Sequence, residues 1–392
     1  MSMNEHLLSR FNGIQQRALI AGAVAILALI IGWFISSRQF FQSYLFAYIF
    51  WMGLTLGCLG VLLLHHLVSG AWGHLIQRMT ESGARTLPIM ALLFIPIFFG
   101  MHELFPWTRP EVVEANHVIQ KKIGFLNVPF FVARWAFYFI AWSGTAFLLT
   151  RWSRRQDANA DPAFARKMKI FSGPALVIFV VTVTLASVDW MMSLEPEWYS
   201  TIYGMATIVG DVLTTLAFCI IGLWYLNKEK PFAGVLTTRH IHHLGNLLMS
   251  FVILWAYLAF SQFLIIWSGN LPEENVWYLR RLGTGWNIIA LILIIGHFFV
   301  PFALLLSRRT KRAIQALTMI AAGIFVMRLI DLFWLMIPAF SGNQVPFHWM
   351  DFAAIIAIGG IWMTMFIRGL KGQPLIPLHD PRFVDGQSIY LH

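Results

Sequence analysis

Six charged side chains fall inside or at the ends of long apolar runs: Glu103, Arg134, Asp189, Asp211, Arg328 and Asp331. An ionisable group at the centre of a bilayer costs at least ~2.5–3.5 kcal/mol on insertion scales, so each must face protein or water and find a partner. Glu103, Arg134 and Asp189, with His102, lie near one end of three successive runs. Two acids and one Arg leave a spare proton site, which suits proton exchange or contact with a quinone headgroup. The competing reading is a buried ion pair that fixes helix register. Arg328 and Asp331 are counted with those residues as a candidate quinone or outer proton site; they are three residues apart, share a helix face and can alternatively satisfy one another. Gln262 and Asn287 lie at similar depth.

Asp211 stands near the middle of its run, with no basic residue one turn away on the same helix. It is expected to be unpaired, to line a polar cavity and to exchange a proton. The alternative is a neutral Asp hydrogen-bonded to a Thr or Ser. His65, His66, Tyr225 and His297 complete a candidate proton path with Asp211, water filling the gaps. His65 and His66 close the second run, and His240, His242 and His243 open the seventh; interface histidines are the plainer reading. His297 is the only deep histidine. A transmembrane haem b needs two facing ligands, and neither Cys58 nor Cys219 has the spacing for haem attachment, an iron–sulfur cluster or a disulfide framework, so no metal and no catalytic residue is assigned.

The elements that hold these groups are membrane helices. The 392 residues are 58% hydrophobic and 12% charged with a mean hydropathy of +0.68, whereas soluble domains carry about 25% charge. Ten runs are long enough for a span: roughly 18–36, 42–64, 87–106, 129–150, 169–192, 199–226, 244–267, 284–307, 313–336 and 349–368. The net charge of +10 sits in loops, which argues against nucleic acid. Placing the N-terminus in the cytoplasm puts twenty of the 28 Lys and Arg residues inside, Arg78, Arg85, Lys230 and Arg382 among them. Six lie outside: Arg38, Arg109, Lys121, Lys122, Arg280 and Arg281. Arg134 and Arg328 fall within the membrane. The positive-inside rule therefore sets both termini in the cytoplasm. The first run has no small-residue cleavage site after it and is expected to be a retained helix.

Trp107, Trp190, Trp198, Tyr199, Trp267 and Trp277 are expected to form an interfacial aromatic belt. Between the fifth and sixth runs lies SVDWMMSLEPEWYSTIYG (187–204), in which Pro196 stops a helix and Ser200 or Thr201 can cap the next. The tail after Arg368 contains Pro374, Pro377 and Pro381 and should lie extended on the cytoplasmic face.

A repeat is legible. LASVDWMM ends the fifth run and MRLIDLFWLM the ninth; the fourth and eighth run into RWSRRQ and SRRTKR. Cys58 and Cys219 are 161 residues apart, Trp107 and Trp267 160 apart. These matches predict two four-helix bundles, 42–192 and 193–336, in the same orientation. A flanking helix precedes them in 1–41, another follows in 337–368, and the tail occupies 369–392.

HIHHLGNLLMSFVILWAYLAFSQFLIIWSGNLPEE (240–274), the 187–204 stretch and PLIPLHDPR (374–382) resemble the F subunits of bacterial alternative complex III, known as quinol:cytochrome c oxidoreductase quinone-binding subunit 2. These are similar to the NrfD-like membrane subunits of polysulfide reductase. The resemblance covers essentially the whole chain. It implies an all-α, ten-helix polytopic membrane subunit of a quinol:electron-acceptor oxidoreductase in the bacterial inner membrane, in a respiratory or photosynthetic chain. It also implies a paralogous membrane subunit beside the quinol site, multihaem and monohaem cytochrome c subunits, an iron–sulfur subunit and small membrane subunits. Cofactors would be limited to non-covalent quinone (menaquinone or ubiquinone) and lipid. A stand-alone secondary transporter and a purely structural membrane scaffold are the competing functions. Pro88, Pro96, Pro174 and Pro301 do not pair between the halves, which weakens the transporter.

Overall fold

The computed structural model describes residues 5–229, 232–283, 285–342, 344–377, 379–380, 383–384 and 387–388. Lys230, Thr284, Leu378, Pro381 and Arg382, which entered the readings above, lie outside the described residues. The protein is an all-α, multi-pass membrane protein with ten helices long and apolar enough to span a bilayer. They are α1 (Glu5–Ile35), α2 (Ser37–Val68), α3 (Trp72–Phe99), α4 (Val128–Asn159), α5 (Pro162–Leu194), α6 (Tyr203–Leu226), α7 (Thr238–Gly269), α8 (Trp286–Leu306), α9 (Ile314–Ser341) and α10 (Trp349–Lys371). The only strand pairing among the described residues joins Phe383–Val384 to Gln387–Ser388 in the tail.

With no water to satisfy their backbone groups, such apolar segments must be helical. What differs among them is burial. α2 is enclosed along its length and packs on α3, α5, α6 and α10, whereas α1 buries one stripe against α10. Small residues permit these approaches. A Cβ at Gly53 would stand 2.5 Å from Asp211 Oδ1, and one at Gly57 would collide with the Asp211 carbonyl and Thr215 Oγ1. Gly22 of α1 sits against Gly360 of α10, where a Cβ would come within 3.1 Å of the Gly360 Cα. Around this seam α4 packs on α3 and α5, while α7 and α9 pack on α6 and α8 packs on α7 and α9.

Two elements differ from the sequence expectation. α3 begins some fifteen residues before the apolar run, and it is divided into Ala71–Ala84, Leu87–Leu93 and Ile95–Phe99. Pro88 and Pro96 sit in the first turns of the later pieces, where proline costs no hydrogen bond. Arg78, placed in a loop by hydropathy, is therefore a buried helical residue. The entry to α6 also differs: Tyr203 starts the helix with no side-chain cap, and Ser200 Oγ instead donates to Gln262 Oε1 at 3.0 Å.

Candidate functional site: two buried charge clusters

At one end of the bundle, Arg134 of α4 meets Asp189 of α5 in a two-pronged pair, with Nε–Oδ2 2.9 Å and Nη2–Oδ1 2.6 Å. Tyr138, one turn beyond Arg134, donates its hydroxyl to Asp189 Oδ2 at 2.8 Å, and Arg134 Nη1 donates to the Phe125 carbonyl at 2.9 Å. The guanidinium carbon lies 3.9 Å from the Phe125 ring centroid and 4.3 Å from that of Phe130, adding cation–π contact on the faces left free by the hydrogen bonds. Below the pair, Trp190 packs among Phe94, Tyr138, Phe139 and Trp142 with centroids 5.2–6.3 Å apart.

Glu103 and His102 do not join this cluster among the described residues. They occupy the short Met101–Leu104 turn beyond the breaks in α3, His102 exposed and Glu103 half-buried. Arg109 donates to their backbone carbonyls at 2.7 and 3.1 Å. The sequence expectation of two acids around Arg134 is thereby corrected: one acid and one base close on each other.

The second acid is found elsewhere. Arg328 of α9 donates through Nη1 to Asp331 on its own helix and through Nη2 to Asp211 Oδ1 of α6 at 3.2 Å. Asp211, expected to be unpaired, is thus tied to a base that lies 117 positions away. Trp255 of α7 donates Nε1 to Asp331 Oδ2 at 3.3 Å, and the His297 ring of α8 stacks on Trp255 with centroids 4.1 Å apart. His297 is fully buried, and neither ring nitrogen has a hydrogen-bond partner among the described residues. It sits in a π-helical turn, Ile294–Phe299, that interrupts α8. Such single π-turns re-aim a side chain and are frequent at functional sites. Gly210 is required here, because a Cβ there would collide with the Arg328 guanidinium. Five helices, α2 and α6 to α9, therefore position one base, two acids and one imidazole.

At the opposite end from Arg134 lies a cluster that hydropathy missed. Arg78 bonds Glu81 Oε2 at 2.8 Å and both Asp157 oxygens at 2.6 Å, while Ser153 and Gln77 bond Glu81 Oε1 at 2.7 and 2.8 Å. The signal was present: His74, Gln77, Arg78 and Glu81 recur at the i, i+3, i+4, i+7 spacing of one helix face. The rings of His65 and His66 lie 5.4 Å apart, and His65 lies 4.8 Å from His74. The tail covers this face: Asp380 is 3.6 Å from His74, and Gln373 Nε2 bonds the Arg78 carbonyl and Ser82 Oγ, each at 3.4 Å. Tyr225 belongs to a different group, accepting from Arg10 Nε of α1 at 3.0 Å.

The stretch between α5 and α6 is sealed by charge and stacking. Glu195 pairs with Arg281 at 2.5 Å and Arg280 at 3.0 Å on the Pro272–Leu282 helix, and Trp198 stacks on Trp277 at 4.7 Å. Burial lowers the Arg281 guanidinium below its usual range, against the pull of Glu195, and pushes the Tyr278 hydroxyl up to about 12. Trp107, Trp190, Trp198 and Trp277 are buried rather than facing lipid; Tyr199 and Trp267 are exposed, as a belt requires. Asn287 is exposed and bonds its neighbour's backbone.

No protein-family model matches the chain, and no curated protein matches it.

Proposed function

We propose that this multi-pass membrane protein is the proton-handling membrane subunit of a quinol:electron-acceptor (cytochrome c-type) oxidoreductase. The observation that carries the reading is the sharing of Arg328 by Asp211 and Asp331 near His297, whose ring nitrogens have no hydrogen-bond partner among the described residues. Two carboxylates on one guanidinium leave one negative charge in excess inside the bundle, which a single proton would balance. His297 supplies an acceptor within the same group, and hydration would connect the cluster to either surface, since direct transfer needs contacts of about 2.6–3.2 Å.

Arg134–Asp189 is assigned to holding α4 and α5 in register, because its charges balance and aromatic rings occupy the surrounding space. Quinol oxidation then belongs to the paralogous membrane subunit that the resemblance of 240–274 and 187–204 implies, with any quinone (menaquinone or ubiquinone) contact here secondary. This subunit would hold no redox cofactor of its own and would work with multihaem and monohaem cytochrome c, iron–sulfur and small membrane subunits in the bacterial inner membrane, both termini cytoplasmic. The groups α2–α5 and α6–α9 would be copies of one four-helix unit.

Replacing Asp211 by Asn keeps its size and removes its proton site. In sealed vesicles the intact complex carrying Asp211→Asn should oxidise quinol with fewer protons translocated per electron. An unchanged stoichiometry overturns the proton role, and purification in mild detergent as a lone colourless protein, without c-type haem, overturns the assignment to the complex.

A further inference from the structure

Where α1 begins, α6 ends and α9 begins, the surface opens into a cavity of about 740 Å³ lined by Arg10, Trp224, Tyr225, Lys228, Ile314 and Gln315, among others. That volume lies in the range of about 300–1,000 Å³ typical of ligand sites. Its lining is cationic and aromatic. Arg10 stacks over Tyr225 at 4.3 Å and donates Nε to its hydroxyl, while Nη1 bonds Glu229 at 2.5 Å. Glu229 offsets the charge of Arg10, which leaves the exposed Lys228 in excess.

The first turn of α9 adds to this. Its N-cap, Ala313, offers no side-chain acceptor, so the free backbone N–H groups of the first turn of α9 begin on the cavity wall. Such groups and the helix dipole favour an anion. Arg308, Arg309, Lys311 and Arg312 immediately precede it. On the lipid side, Trp224 is 44% exposed and offers a ring at headgroup depth.

We infer that this cavity binds the phosphate of an anionic phospholipid, with Lys228, Arg10 and the start of α9 around the headgroup and the acyl chains running along α1, α6 and α9. A zwitterionic lipid would bring its ammonium to a site already in cationic excess. Each basic side chain near a membrane surface contributes about 1 kcal/mol toward anionic lipid, about fivefold in affinity.

The test is native mass spectrometry of the purified protein with phosphatidylglycerol and phosphatidylcholine of matched acyl chains in competition. Phosphatidylglycerol should be retained at least about fivefold better. Lys228→Glu, and separately Gln315→Glu, should bring the two lipids near parity, while Lys167→Glu, exposed elsewhere, should leave the preference intact. Equal retention by the unsubstituted protein overturns the inference, as does a preference that survives both cavity substitutions or falls equally with Lys167→Glu. Displacement of the lipid by millimolar inorganic phosphate, independent of acyl chain, identifies a free-anion site instead and overturns the lipid assignment. Lys228 and Gln315 are exposed, so folding should be retained; if either variant fails to fold, the unsubstituted protein's own selectivity decides.

Discussion

Arg134 and Arg328 are both arginines buried in membrane helices, yet their surroundings solve opposite problems. Arg134 meets one carboxylate, a carbonyl and two aromatic faces, and Asp189 receives an extra hydroxyl from Tyr138. Its charges cancel and each of its three nitrogens donates to a protein oxygen. Arg328 meets two carboxylates on different helices, and an imidazole without a hydrogen-bond partner among the described residues stands one ring away, across Trp255. The difference teaches that two buried clusters can differ in charge count: one base to one acid at Arg134, one base to two acids at Arg328. The Arg134 pair sums to zero formal charge, whereas the Arg328 cluster carries one acid more than it has bases.

The comparison breaks most sharply when the bases are removed. Arg328→Met leaves two buried acids without a base, and loss of one partner of a buried pair costs about 3–5 kcal/mol. Adding Asp331→Asn alone should leave the protein destabilised, and adding Asp211→Asn as well should restore most of the loss, read as the thermal unfolding midpoint in detergent. If Asp331→Asn alone restores stability, Asp211 is not part of the cluster.

Arg134→Met should cost somewhat less, about 3 kcal/mol, because Tyr138 still donates to Asp189. Here one further change should suffice: Arg134→Met with Asp189→Leu should unfold close to the unsubstituted protein, since replacing a buried pair by apolar residues is often neutral. A double variant as unstable as the single one would contradict the closed-clasp reading.

Gly53→Ala sharpens the contrast from the side of packing. The new methyl meets Asp211 Oδ1 at 2.5 Å, and overpacking of this kind costs about 1–3 kcal/mol. In vesicles it should also lower the proton-to-electron ratio, because it displaces the carboxylate. Normal stability with a normal ratio would show that α2 does not press on the cluster.

The smallest effect is expected at Glu103. With its carboxyl outside the Arg134 pair, Glu103→Gln should change stability by no more than about 0.5 kcal/mol. A larger loss would place Glu103 back beside Arg134.

Ten spans, the positions of Arg134, Asp189, Asp211, Arg328 and Asp331 within those spans, and the three-residue spacing of Arg328 and Asp331 were legible from residue type and order. Hydropathy is a local property, and depth along a helix follows from a rise of about 1.5 Å per residue. The Arg78 cluster was less legible, since the polar face of Ala71–Ala84 lowers its hydropathy and the helix resembles a loop until its period is read. What no local property contains is which helix stands beside which. Glu103 and Asp189 share a depth but not a neighbour, because α3 breaks before Glu103. Asp211 and Arg328 meet because Gly53, Gly57 and Gly210 have no side chains to hold α2, α6 and α9 apart. The sequence thus determined which charges enter the membrane; the packing of small residues decided which of them touch, because ion pairs form over a few ångströms between helices whose facing and order are set by every contact along their lengths.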